Sequence, residues 1–225
     1  MIKTMKKILS CMVLPHSCVM LKKDVAQARK DVLPLLEQNT PVLDIGCGQR
    51  PIVKGAIKLE FEACCGIDVS ADAHCLPFLD SSIGFVWLGG VVEHLKNPRL
   101  CSKEIYRVLK DKGYVFVETP FFQIVHGAPY DFQRFTQLGL EEIFKEAGFN
   151  KIKSGIISGP SAAFAHVLRT YLAIFFSFNN DVLFHVCYYY IFGWFVLPVK
   201  LFDVFFTKYK QAQLMPFGIF YLGRK

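Results

Sequence analysis

Charge is scarce in this sequence: Asp, Glu, Lys and Arg make up 20% of the 225 residues, hydrophobic residues 52%, and mean hydropathy is +0.32. Among 8 Cys and 6 His there is no C-x-x-C pair and no His spacing of the zinc-site kind, so no metal site is expected. With 16 Gly and 8 Cys the chain is neither collagen-like nor a small disulfide scaffold. Cys64 and Cys65 are adjacent, which suits a bridge poorly, and the cysteines read as small hydrophobes of a reducing cytoplasm. There is no internal repeat. What the chain has in quantity is aromatic surface, 22 Phe and 9 Tyr, enough to exclude a disordered protein.

The net charge of +7 is not a nucleic-acid signal once it is located. Lys3, Lys6, Lys7, Lys22 and Lys23 lie in 1–23 without an acid, and Lys200, Lys208, Lys210, Arg224 and Lys225 face only Asp203 in 196–225. The body between them carries a net charge of −2, so no basic groove runs through it. Basic ends of this kind suit solvent or an anionic lipid surface, at about 1 kcal/mol per basic residue near such a surface. Near the N-terminus the apolar run Ile8–Leu14 stops at Pro15 with no small-residue cleavage site, which reads as a loose extension or a start at Met20, not as an export signal.

Past this extension the pattern is that of an α/β domain. Helical spacing of Val25, Ala28, Val32, Leu35 and Leu36 predicts a lead-in helix over 24–37. Pro41–Ile45 reads as a buried parallel strand ending in the tight turn Gly46-Cys47-Gly48. Further strands are expected at 64–69, 83–88, 114–118, 151–157 and 217–222. Helices are expected from Asn97-Pro98 to about Leu109, with Leu100, Ile105, Val108 and Leu109 inward, and over 138–147 behind a Thr136 cap. Strands and helices alternating at this spacing predict a doubly wound, mostly parallel Rossmann-like sheet.

Residues 160–206 break the pattern, because they hold 15 aromatics and only Arg169 and Asp181 are charged between Pro160 and Val199. Val182–Val199 is an uncharged run at the lower edge of a membrane span. The polar group Asn179-Asn180-Asp181 divides the segment into two expected helices. The expected organisation is therefore an extension over 1–23, a core over 24–159, a hydrophobic insertion over 160–206, and a last strand within 207–225.

In a doubly wound sheet, ligands bind beyond the carboxyl ends of the strands. Gly46 and Gly48 allow a sharp turn and close backbone approach to a ligand. An acid some 20 residues on, at the next strand end, suits ribose hydroxyls, and Asp68 fits. In Gly46-Cys47-Gly48-Gln49-Arg50-Pro51 the third glycine of a dinucleotide motif is replaced by Pro51, which disfavours a nicotinamide oxidoreductase.

Val42-Leu43-Asp44-Ile45-Gly46-Cys47-Gly48 resembles the first motif of class I S-adenosylmethionine-dependent methyltransferases. Gly66-Ile67-Asp68-Val69-Ser70 is similar to that family's ribose-binding strand end, and Asp72-Ala73-His74-Cys75-Leu76-Pro77-Phe78 to its adenine-flanking motif. Val91–Leu95 and Glu104–Tyr114 resemble its type 11, ubiquinone-biosynthesis-like subgroup. His126-Gly127-Ala128-Pro129-Tyr130-Asp131-Phe132-Gln133-Arg134-Phe135-Thr136 is similar to an H-x-x-P-x-D-[YF]-x-R-[FYW]-T run of one of its branches. The resemblance spans about 40–150.

The resemblance implies S-adenosylmethionine as cofactor, with Gly46, Cys47 and Gly48 under its methionine part and Asp44 positioning that loop or the ligand amine. Asp68 would take the ribose, Asp72 and Ala73 the adenine edge, and Gly89 and Gly90 would flank the sulfonium. Glu93 and His94 follow that loop as candidates to orient an acceptor or remove its proton. His126 is the preferred base, and Tyr130, Asp131 and Arg134 are candidate substrate contacts. Only three residues separate Asp68 from Asp72, so either one edge strand is missing or Ile57–Phe61 is the second strand and Glu60 the ribose acid. Asp68 is preferred, because Asp44 to Glu60 leaves little room for a helix.

For the insertion, packed core helices, a monotopic membrane hairpin and an acceptor pocket or dimer face compete. The hairpin is preferred, with Trp194 and Tyr188–Tyr190 at the interface and Lys200, Lys208 and Lys210 near headgroups. The expected function is methyl transfer to a hydrophobic or lipid-linked small molecule on the cytoplasmic side of a membrane, with no nucleic-acid partner. The alternative is a degenerate nucleotide-binding module acting as a membrane-associated partner.

Overall fold

The computed structural model describes residues 32–38, 40–48 and 55–225. The N-terminal extension, Gln49 to Pro51 and most of the lead-in helix lie outside them. The described part of that helix is α1 (Leu33–Gln38).

Among the described residues seven strands form one sheet: β1 (Val42–Ile45), β2 (Ile57–Glu60), β3 (Val69–Ser70), β4 (Ile83–Gly89), β5 (Leu109–Pro120), β6 (Asn150–Ser158) and β7 (Gly218–Arg224), in the order β3-β2-β1-β4-β5-β7-β6. β1, β2, β3, β4 and β5 pair in parallel, and β7 runs antiparallel to β5. This is the Rossmann-like, mostly parallel sheet expected. No edge strand is missing: β3 is two residues long, too short to show as an apolar run in sequence. The second strand lies at Ile57–Glu60 and not at 64–69, because Leu43 pairs with Ile57 and Ile45 with Leu59.

All of β1 and six of the seven residues of β4 are buried, as expected of strands covered on both faces. Between β4 and β5 runs α2 (Pro98–Val108), whose Asn97 cap accepts from Leu100 N–H at 3.1 Å. Cys101, Ile105 and Val108 face the core, while Leu100 is 44% exposed and so does not point inward as its spacing suggested. Thr136 caps α3 (Gln137–Glu146) by accepting from Gly139 N–H at 3.0 Å.

Contacts divide the chain into two units, the sheet with its helices and a second unit made of Phe122–Ile124 and Ser158–Phe217. The second unit contains α4 (Pro160–Ser177), α5 (Asp181–Val186), a π-turn over Cys187–Ile191, and the short helices α6 (Phe192–Phe195), α7 (Leu197–Leu201) and α8 (Asp203–Phe206). Phe178 and Asn179, both at positive φ, make the turn after α4, and Asn180 caps α5. The N-terminus of α4 is capped from a distance: the fully buried Asp203 accepts from Ser161 and Ala162 N–H, each at 2.8 Å. A Cβ on Gly159 would stand 2.5 Å from Asp203 Oδ1, so only glycine permits this approach.

The burial of α4 is inverted. Its inner face carries Ala162, Ala163, Ala165, His166, Arg169 and Thr170, while Phe164, Val167, Tyr171, Ile174 and Phe175 face outward. Arg169 donates to Tyr188 Oη at 2.5 Å, lies 3.9 Å over the Tyr188 ring and sits 3.1 Å from His166 Nδ1. Tyr188 and Lys200 are therefore interior residues and not the surface ones expected; Trp194, Lys208 and Lys210 are exposed. Among the described residues no single helix is long and apolar enough to cross a membrane. Asp181–Phe195 and Leu197–Phe206 form a pair bent by 51° that passes by length and composition together.

Candidate active site

At the carboxyl ends of the strands lies a cavity of about 700 Å³ within the sheet unit. Gly46 opens it. It has φ +68°, its N–H donates to Leu59 O at 2.8 Å, and a Cβ there would lie 2.3 Å from Val91 Cγ2. Gly48, at φ +58°, donates its N–H to Glu60 Oε1. Asp44 and Cys47 are buried in the strand and turn beside this loop and do not line the cavity. Burial, with Asp44 and Glu60 nearby, pushes the Cys47 thiol up to about 11.

Glu60 ends β2 and lines the cavity; Asp68 does not. Asp68 precedes the edge strand, where its Oδ2 accepts from Lys58 N–H at 2.9 Å and its Oδ1 lies 3.6 Å from Lys58 Nζ. Of the two acids weighed for the ribose, Glu60 is thus the one at the cavity wall. The cause is register: Leu59 pairs with Val69, which holds Asp68 beside Lys58, away from the Gly46 turn.

Asp72 and Ala73, expected at the adenine edge, line the cavity together with His74 and Asn97. Asp72 Oδ1 accepts from His74 N–H at 2.9 Å and from its Nδ1 at 2.6 Å, and His74 Nε2 accepts from Asn97 N–H at 3.2 Å. These bonds, led by the backbone N–H of His74, hold the Asp72 carboxyl below its ordinary range. His74 and Asn97 escaped notice because their role is to order Asp72, which no local motif reveals. Gly90 and Val91 form the opposite wall after Gly89, the last residue of β4.

Past this wall the chain makes a single tight turn over Val92–His94. The Glu93 side chain is 1% exposed, and its Oε2 accepts from Thr119 Oγ1 at 3.1 Å. Burial pushes the Glu93 carboxyl above its ordinary range, against the lowering pull of a backbone N–H bond, of His94, of Thr119 and of His126. The loop carrying His126 is tied to this turn, since Phe132 and Gln133 N–H both donate to Glu93 O and Gln133 Nε2 donates to Leu95 O. His94 and His126 thereby meet edge to face, ring centroids 4.9 Å apart.

Only His94 of the three lines the cavity, together with Tyr130 and Phe132 from the loop. His94 Nδ1 lies 2.7 Å from the Tyr130 carbonyl, an acceptor only, so the neutral ring keeps its Nε2 bare. Arg134 Nη2, a donor only, lies 3.3 Å from His126 Nδ1 and leaves the hydrogen of the neutral ring on Nε2. His94 thus has the lone pair that was expected of His126. Asp131 and Arg134 pair bidentately, at 2.5 and 2.8 Å, and Asp131 Oδ2 also accepts from His126 N–H. Arg134, the first cause, holds the Asp131 carboxyl far below its ordinary range. Neither residue lines the cavity; they shape the loop that carries His126 and Tyr130.

A family model described as a methyltransferase domain matches residues 20–154. The chain belongs to this methyltransferase family. It is a class I enzyme that uses S-adenosylmethionine. The fold is similar to an S-adenosylmethionine-dependent methyltransferase from Archaeoglobus fulgidus, with TM-score 0.57 and 17% identity over 89% of this chain and 93% of the other. It is also similar to phosphoethanolamine N-methyltransferase 2 of Haemonchus contortus, solved with phosphomonomethylethanolamine and S-adenosylhomocysteine: TM-score 0.51, 15% identity, 87% of this chain and 52% of that one. The [4+2]-cyclase SpnF shares the fold at TM-score 0.53 and 18% identity, over 88% and 80% of the two chains. No curated protein matches the chain in sequence.

Proposed function

We propose that this methyltransferase acts at a membrane surface on a hydrophobic or lipid-linked acceptor. The observation that carries the reading is the inverted burial of α4. In a water-soluble helix the large apolar residues face inward, but here they face outward and the small and polar ones face inward. Fully burying one such side chain is worth about 1.5–3 kcal/mol, so the outward row would leave water readily for a bilayer interface. Trp194, Tyr171 and Tyr209 are exposed and amphipathic, and Lys208 and Lys210 add positive charge suited to anionic headgroups. Arg169, whose charge would oppose membrane entry, is turned inward onto Tyr188.

In the cofactor site Glu60 takes the ribose hydroxyls, Asp72 and Ala73 meet the adenine edge, and the Gly46–Gly48 turn passes beneath the methionine part. Glu93, His94 and His126 orient the acceptor and favour loss of its proton, and Tyr130 and Phe132 contact its apolar part. Methyl transfer from a sulfonium needs chiefly in-line positioning.

Calorimetry with S-adenosylhomocysteine tests the cofactor arrangement: Glu60→Gln is expected to weaken binding about tenfold, the loss of one charged hydrogen-bond partner, and Asp68→Asn to leave it nearly unchanged. The reverse order would return the ribose to Asp68. Incubation of the enzyme with isotopically labelled S-adenosylmethionine and membrane-lipid extract, read by mass shift, tests the acceptor. Label confined to water-soluble products would refute the lipid reading.

A further inference from the structure

We propose that Glu93, His94 and His126 bind a divalent first-row cation, of which zinc is the type, and that its open position takes a hydroxyl oxygen of the acceptor. Glu93 Oε1 is 3.8 Å from His94 Nε2 and 3.7 Å from His126 Nε2, and the three ligand atoms all fall within 4.8 Å of one another. Those separations are too long for hydrogen bonds. They are close to the edge of a coordination shell, since ligands about 2.1 Å from a tetrahedral ion stand about 3.4 Å apart.

Three further features agree. First, the Glu93 carboxylate is buried with two imidazoles beside it, and a cation there would offset the cost of keeping that carboxylate charged. Second, the outer groups are those that metal ligands require. Thr119 Oγ1 steadies the other carboxylate oxygen, the Tyr130 carbonyl fixes the His94 tautomer, and Asp131 Oδ2 stands 3.6 Å from His126 Nδ1. Binding at His126 Nε2 moves that ring's hydrogen to Nδ1, so the Arg134 Nη2 donor 3.3 Å away must turn off that atom and Asp131 Oδ2, 3.6 Å away, must close on it. Third, the cluster adjoins the cavity: His94 and Gly90 line it, and a Cβ on Gly90 would lie 3.5 Å from Glu93 Oε1. Two His and one carboxylate with an open position is a set found at catalytic zinc.

The inference rests on the methyltransferase reading and narrows it to an oxygen acceptor. A hydroxyl bound to the cation becomes more acidic and releases its proton to solvent. Its oxygen then attacks the methyl carbon, the new C–O bond forms as the C–S bond breaks, and the sulfur keeps the electron pair as S-adenosylhomocysteine.

The test uses the full chain, stripped with a chelator and titrated with Co²⁺, then with Zn²⁺ in competition. One equivalent of Co²⁺ with the visible absorption of a low-coordinate N/O site, displaced by Zn²⁺, is the expected result. Glu93→Gln and His126→Gln should lose it. His185→Gln and the triple change Cys64→Ser, Cys65→Ser, Cys75→Ser, which removes exposed thiols that bind soft cations, should retain it. If Glu93→Gln does not fold, His126→Gln, whose ring is partly exposed, decides alone. No stoichiometric uptake, or uptake that survives both ligand changes, overturns the proposal. S-adenosylhomocysteine calorimetry on the same samples separates the two readings. Nucleoside binding without cation uptake removes the cation only, and cation uptake without nucleoside binding removes the cofactor assignment on which the acceptor role depends.

Discussion

Leu43 in β1 and Phe175 in α4 are both large apolar side chains, and the two regions of the molecule place them in opposite ways: Leu43 is 0% exposed and Phe175 63%. In the sheet unit, apolar residues close over a core and polar ones do chemistry at strand ends. In the Ser158–Phe217 unit the interior is small and polar, held by Asp203, Arg169 and Tyr188, and the apolar residues form the outside. Equal hydrophobicity thus serves cohesion in one region and, on our reading, attachment in the other.

The comparison breaks most sharply if the outer face is charged. Phe164→Glu, Ile174→Glu and Phe175→Glu together should lower binding to anionic liposomes at least about 100-fold, with S-adenosylhomocysteine affinity unchanged. Pelleting that persists would show the face is not the attachment surface. Next in size, Leu43→Ala should cost about 2–5 kcal/mol in chemical unfolding, whereas Phe175→Ala should stay within about 0.5 kcal/mol. Similar losses at both sites would mean that the outer face is structural. Asp203→Ala should cost about 2 kcal/mol by leaving two α4 N–H groups without acceptors, and faster amide exchange at Ser161 and Ala162 should mark the site.

The smallest effect concerns the sheet unit. Two guanidinium hydrogen bonds from Arg107, first among the causes, hold the Glu104 carboxyl below its ordinary range. A folded-state pKa below the unfolded one adds stability above the carboxylate range, and this is lost as pH falls through the folded value. Glu104→Gln should therefore cost about 1 kcal/mol at neutral pH and progressively less on acidification, measured as the gap between melting curves. A gap that stays constant with pH would assign the loss to the Leu76 N–H bond instead.

Much of the sheet was legible because its signals are local. Val42–Gly48 carries strand and turn within seven residues, Asn97 and Thr136 announce their helices by capping, and Asp72-Ala73 reached the cavity wall as expected. That Asp68 lies off the cavity was not legible because strand register depends on partners: the pairing of Leu43 with Ile57 is what puts Glu60 at the end of β2. Leu100 likewise was expected inward, yet it is 44% exposed, because the buried face of α2 runs through Cys101, Ile105 and Val108.

By itself, the sequence determined the α/β class, the glycine turn after the first strand and the presence of one strongly apolar segment, since composition and short-range periodicity are properties of consecutive residues. Tertiary structure decided three other things. It placed Glu60 and not Asp68 at the cavity wall, brought His126 to Glu93 and His94 from 32 residues away, and turned the aromatics of α4 outward around Arg169 and Asp203. Each depends on which distant groups share a space, and on the cost of burying a carboxylate or guanidinium without a partner, which no local pattern encodes.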